Sequence, residues 1–173
     1  MINAEFQAIN TERLFLRRLQ ATDWEVISFL RSDKEVNKFV KRPSAETREE
    51  AFEFISKINK GIVEKKLFYW AIEHKKTNNA IGTICLWNFS QGGKSAEVGF
   101  DLSPQFQGRG MMSESLKSII DFGFNKLQLC SMVAYTNKEN QSSKRLLERK
   151  GFKLATDKKD DDNQDNLVYE LRG

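Results

Sequence analysis

Gly108 and Gly110 stand directly ahead of a stretch whose apolar residues recur with helical spacing: Met112, Leu116, Ile119, Ile120 and Gly123. The start of a helix leaves its first backbone N–H groups without intrahelical acceptors, and the helix dipole adds positive potential there. Neither glycine has a side chain to cover those donors, so a pyrophosphate suits them, and Arg109 can pair with a phosphate oxygen. A plain glycine-containing turn between a strand and a helix is the competing reading. Two other phosphate loops fail on spacing. Neither glycine leads into the Gly-Lys-Ser/Thr of a P-loop. A dinucleotide fingerprint needs glycine or alanine three residues after Gly110, where the chain has Ser113.

Such a loop needs a strand to enter it and a helix to leave by. Ala96–Leu102 alternates as a strand, Pro104–Gly110 is the loop, and the helix follows. Upstream, Arg13–Leu19 reads as a strand. Thr22 and Asp23 then cap a helix whose apolar face includes Trp24, Ile27, Phe29 and Leu30. Pro43 and Ser44 break the chain. Thr47 with Glu50 forms a capping box for a helix carrying Phe52, Ile55 and Ile58, with Gly61 near its end. Phe68–Glu73 and Ala80–Asn88 form a hairpin around His74–Asn79, and Gln91–Lys94 is a second turn. Downstream, Leu129–Tyr135 is a strand and Asn140 caps a helix that stops at Gly151. Phe152–Ala155 and Leu167–Leu171 form a last antiparallel pair, linked by the charged Lys158–Asn166.

The composition agrees with one mixed α/β domain spanning residues 1–173, at 39% hydrophobic and 30% charged. The net charge of +4 is interspersed along the chain, which describes a solvated mixed surface and no nucleic-acid footprint. Cys85 and Cys130 lie in apolar runs and read as buried free thiols; no disulfide and no metal is expected. Met1-Ile2-Asn3-Ala4-Glu5 lacks the basic-then-apolar pattern of a signal peptide. No apolar segment approaches the ~18 residues of a membrane span. A cytoplasmic chain without membrane contact is the expectation.

Gln105-Phe106-Gln107-Gly108-Arg109-Gly110 resembles the Gln/Arg-x-x-Gly-x-Gly/Ala motif of the GNAT N-acetyltransferase superfamily. Asn140-Gln141-Ser142-Ser143, on a helix ending at Gly151-Phe152, is similar to that family's second signature. Thr11-Glu12-Arg13-Leu14 and Ala96-Glu97-Val98-Gly99-Phe100 resemble the Rim-type branch, which acetylates ribosomal-protein N-termini. The resemblance implies a strongly bent mixed sheet of about seven strands with helices on both sides. It implies that Ala96–Leu102 and Leu129–Tyr135 splay apart around acetyl-CoA. On that pattern the backbone at Leu102 and Ser103 pairs with the pantetheine arm. The amides of Gln107, Gly108, Arg109, Gly110 and Met111 take the pyrophosphate, and Asn140 reaches the pantetheine or serves only as a helix cap.

Acetyl transfer needs a neutral amine and a thiolate that receives a proton. Glu97 stands where this superfamily often places its base. On a strand it shares a face with Gly99 and Asp101, opposite Ala96, Val98, Phe100 and Leu102. Taking the acceptor's proton and merely orienting the acceptor both fit a carboxylate there. Many family members carry a tyrosine acid at the position of Leu147, and leucine cannot donate a proton. Ser143 stands where they have alanine and can hydrogen-bond the departing sulfur, or is structural. His74, the single histidine, is expected away from both motifs, so no nucleophile–base pair emerges and direct amine attack is the economical route. Phe39, Trp70 and Trp87 wall the acceptor pocket or belong to the core. The expected partners are acetyl-CoA and a primary amine, foremost a protein N-terminus, and the chain is a monomer or homodimer. The rivals are a polyamine or aminoglycoside acceptor and a non-catalytic acyl-CoA sensor.

Overall fold

The computed structural model describes Ile2 and residues 4–173, so the stretch read for a leader falls partly outside the described residues, at Met1 and Asn3. The chain opens with strands β1 (Ile9–Asn10) and β2 (Leu14–Arg17), followed by helices α1 (Trp24–Ser32) and α2 (Arg48–Val63). The middle holds β3 (Phe68–His74), β4 (Asn79–Trp87), β5 (Ser95–Leu102) and α3 (Met111–Asn125). It closes with β6 (Ser131–Asn137), α4 (Gln141–Arg149), β7 (Lys153–Leu154) and β8 (Asn166–Arg172). Among the described residues eight strands form one sheet in the order β1-β2-β3-β4-β5-β6-β8-β7, in which β5–β6 is the parallel pair. The strand beyond the expected seven is the two-residue β1.

Alternation along the strands feeds two cores. Ala96, Val98 and Leu102 of β5 pack with Met112, Leu116 and Ile119 of α3 and Leu146 and Leu147 of α4. The opposite sheet face carries Ile27 of α1 with Ala51, Ile55 and Ile58 of α2. Helix α2 starts on the expected capping box: the Thr47 hydroxyl accepts from Glu50 N–H, and the Glu50 carboxylate accepts from Thr47 N–H.

The start of α1 differs from the expectation. Thr22 lies in a short 3-10 turn, Ala21–Asp23, and Asp23 makes no side-chain cap. The Asp23 carboxylate instead takes both terminal nitrogens of Arg17, at 2.8 and 2.9 Å, and the Gln20 N–H. A buried guanidinium outcompetes a helix terminus for the same oxygens because leaving that charge unpaired costs more. Strand β2 accordingly ends at Arg17, short of Leu19. Phe29, expected on the apolar face of α1, is 41% exposed.

Candidate active site

Strands β5 and β6 pair at Ser95↔Ser131, Ala96↔Met132 and Glu97↔Val133, and no further. Strand β5 stays with β4 as far as Leu102↔Gly82, and β6 stays with β8 as far as Asn137↔Asn166. The two strands therefore part beyond Glu97 and leave a V-shaped opening with that residue at its apex. In the β4–β5 ladder Ser103 N–H donates to Ile81 C=O at 2.9 Å, so Leu102 occupies a non-hydrogen-bonded pair. The backbone groups of Leu102 then face the opening, its C=O accepting from Gln107 Nε2 at 2.9 Å. Ser103 has spent its N–H on Ile81, which leaves Leu102 as the residue with an N–H to offer.

At the wide end lies the glycine loop. Gly108 and Gly110 take left-handed φ values of 72° and 75°, and Gly110 is the N-cap of α3. Helices α2 and α4 close their own N-termini, α2 with Thr47 and α4 with Asn140, whose Oδ1 accepts from Ser143 N–H at 3.2 Å. Helix α3 has no capping side chain. The N–H groups of Gly108, Arg109, Gly110 and Met111 find no acceptor among the described residues, whereas Gln107 N–H is spent on Pro104 C=O. A cleft of about 720 Å³ joins Leu102, Gln107, Gly108, Gly110 and Met111 on one side to Asn140 and Ser143 on the other, with Phe39 beside them. Glu97, Ser103, Arg109 and Trp87 are not part of its lining.

Glu97 lies on the sheet face away from α3. Burial pushes its carboxyl up to about 7; Asn88 opposes this by donating Nδ2–H to Oε2 at 3.3 Å, and Asp160 of the charged loop adds to it. Asp101, two positions along the same face, is neutralised by Arg42 at 2.7 Å, so Glu97 is the β5 carboxylate left without a cation. Cys85 faces the same side, and burial followed by Asp101 pushes its thiol up to about 12, which keeps it neutral. Tyr135 follows Val133 on that face; burial, then Glu97 and Asp160, raise it, so its hydroxyl keeps its proton near neutral pH.

The structure changes several expectations. Trp87 sits opposite Glu97 and is 46% exposed, whereas Trp70 is a fully buried core residue. Leu147 is buried too, turned into the core. His74 is not remote from the loop: its ring lies 6.1 Å from that of Phe106. Cys130, expected buried, is exposed, and β6 begins at Ser131, two residues later than expected. The sequence reading missed Asn88, Tyr135 and Arg42, which reach the site through strand register and a long loop.

A family description, the acetyltransferase (GNAT) domain, matches residues 13–153. The chain belongs to the GNAT family. It is an N-acetyltransferase by that membership. The unpaired amides at Gly108–Met111 are donors of the kind a pyrophosphate takes at a helix start. The uncharacterized N-acetyltransferase YoaA of Bacillus subtilis is 31% identical over 85% of this chain and 83% of its own. The fold matches RimL, a ribosomal L7/L12 alpha-N-protein acetyltransferase solved with coenzyme A, at a TM-score of 0.82, 18% identity and coverage of 96% and 98%. It also matches a ribosomal-protein-S5-alanine acetyltransferase from Vibrio fischeri, at a TM-score of 0.81, 20% identity and 96% coverage of both chains. No helix among the described residues is long and apolar enough to cross a membrane.

Proposed function

We propose that this chain moves the acetyl group of acetyl-CoA directly onto a primary amine, with the α-amine of a peptide or protein N-terminus as acceptor and Glu97 as base. The observation that carries the reading is an unpaired carboxylate, pushed up to about 7, at the point where β5 and β6 part. The amine nitrogen bonds to the thioester carbonyl carbon, its proton passes to Glu97 directly or through water, and the C–S bond breaks. The departing thiolate accepts a hydrogen bond from the Ser143 hydroxyl and takes its proton from solvent. On this reading Leu102 and Asn140 hold the pantetheine arm, Gly108–Met111 and Arg109 hold the pyrophosphate, and Phe39 and Trp87 flank the acceptor. Cys85, held as a neutral thiol, is a poor nucleophile, which favours direct attack over an acyl-enzyme.

The acceptor follows from proton affinity. An α-amine loses its proton near pH 8 and a lysine amine near 10.4, so freeing lysine costs roughly 3 kcal/mol more. A single carboxylate base is matched to the easier amine. Fold likeness to RimL does not carry the acceptor across, so the test must. The ratio of kcat/KM for a peptide with a free N-terminus over the same peptide N-blocked with an internal lysine should be about 10². A ratio near one would sink the N-terminal reading. A small polyamine is the second reading, favoured by Asp160, which acts on both Glu97 and Tyr135. Turnover of spermidine or an aminoglycoside well above that of every peptide would select it. Ser143→Ala should lower turnover by less than about tenfold, since water replaces a single hydrogen-bond donor; full activity would remove Ser143 from the mechanism.

A further inference from the structure

The opening segment Thr11-Glu12-Arg13-Leu14 has no part in the chemistry above, yet it runs directly behind the glycine loop. Glu114 stands in the first turn of α3, where a bare carboxylate would repel a pyrophosphate across the helix end. Both of its oxygens are taken by the opening segment. Oε1 accepts from the Thr11 hydroxyl at 2.6 Å and from Arg13 N–H at 2.8 Å, and Oε2 accepts from Arg13 Nε–H at 2.8 Å. The same guanidinium continues to the loop, where Nη1–H donates to the Arg109 carbonyl at 2.8 Å. Its Nη2 lies 3.4 Å from the place a Cβ on Gly110 would occupy.

The Arg109 carbonyl and the Gly110 N–H belong to one peptide unit, and the described chain contains no cis bond. In a trans unit the two groups point in opposite directions. Holding the carbonyl back toward Arg13 therefore aims the Gly110 N–H the other way, and Gly110 lines the cleft. This peptide joins Arg109 to the left-handed Gly110, so on its C-terminal side no Cβ resists its rotation. Turned over, it would present a carbonyl oxygen to the diphosphate.

We infer that Arg13, oriented by Glu114 and Thr11, is a positioning residue that locks the Arg109–Gly110 peptide with its N–H toward the pyrophosphate of acetyl-CoA. The inference rests on the acetyl-CoA reading of the cleft and deepens it. It gives the opening segment a role in donor recognition, although that segment lies far from the glycine loop in sequence.

The test compares two acetyl donors, acetyl-CoA and S-acetyl-pantetheine, the second of which lacks the pyrophosphate. Arg13→Lys keeps a charge and the backbone N–H bond to Glu114 but loses the fork that spans Glu114 and Arg109. It should weaken coenzyme A binding, measured by calorimetry, about tenfold, or about 1.4 kcal/mol. The ratio of kcat/KM for acetyl-CoA over acetyl-pantetheine should fall by a similar factor. Thr11→Val, which removes one donor to Glu114 and leaves Arg13 in place, should shift both readouts in the same direction by less. It stands in if the Arg13 variant does not fold. Equal losses on both donors, or unchanged coenzyme A affinity, would overturn the inference while leaving the acetyl-CoA reading intact. Failure of the wild type to bind coenzyme A would overturn both.

Discussion

Glu97→Gln is expected to cut turnover by about 10²-fold or more near pH 8 while coenzyme A affinity stays close to wild type. Glutamine keeps the size of the side chain and can still bond to Asn88, but it cannot accept a proton. On the proposed reading the cofactor lies along Leu102 and Gly108–Met111, past the point where the strands part, so binding and proton transfer separate in this variant. The pH profile carries the sign. Because the folded carboxyl sits at about 7, Glu97 holds its proton below that pH and is unable to take another. The wild-type rate should rise with unit slope through about pH 7 and then level off, and the variant should lose that limb. An unchanged profile with unchanged turnover would leave Glu97 a structural residue.

The same variant should be more stable than the wild type in alkaline solution. Between the ordinary carboxyl value of 4.5 and about 7, the folded state binds a proton that the unfolded chain has released. The contribution of Glu97 to stability therefore falls as pH rises through that window. Above it both states are ionised, and the fold still bears the cost of a half-buried charge. Glutamine removes that cost. After allowance for solvent screening the gain is on the order of 1 kcal/mol, or about 2–4 °C in Tm. It should be present near pH 8 and vanish below about pH 4.5. A drop in Tm near pH 8 would mean that the carboxylate is held in place by interactions it stabilises. A base maintained at the expense of stability is the expected pattern for a working carboxylate.

What could be read from the chain without its fold was local chemistry. The Thr47/Glu50 box, Asn140 as a cap and the glycine pair before a helical stripe each lie within a few residues and are decided by short-range donors and acceptors. What could not be read depends on register. Asn88 reaches Glu97 because Trp87 and Glu97 are opposite one another on β4 and β5. Tyr135 faces Glu97's side of the sheet because β6 pairs in parallel at Val133. Nothing in the spacing of Arg42 and Asp101, or of Arg13 and Glu114, announces that they meet. His74 shows the same limit. It ends a hairpin, as its neighbours suggest, but the fold brings Phe106 onto it. Asp23 shows the opposite limit, since a residue of good capping type was drawn off by a stronger partner in Arg17.

Coenzyme A affinity should fall by about 10²-fold or more when Gly108 or Gly110 is replaced by valine. The two positions fail for related but separable reasons. At Gly108 nothing lies within 4 Å of an added Cβ, so the obstacle is backbone conformation alone. A β-branched residue at a φ of 72° is strained by about 1–3 kcal/mol and relieves the strain by turning its N–H groups out of line. At Gly110 the φ of 75° adds the same strain, and the new side chain also approaches Arg13 Nη2 at 3.4 Å. Each charge-assisted bond to the pyrophosphate that is lost costs a further ~1.5–3 kcal/mol. Strain also lowers stability, so affinity must be measured at a temperature where each variant is folded. Gly108→Asn provides the control, because asparagine tolerates the left-handed region and should keep most of the affinity that valine loses. In a thermal melt, ligand at 100 times its dissociation constant should add about 2.7 kcal/mol to the wild type. The valine variants, at the same ligand concentration, should gain little. Wild-type affinity in both folded valine variants would show that the pyrophosphate does not bind on these amides, and the cleft beside Asn140 would then need another ligand.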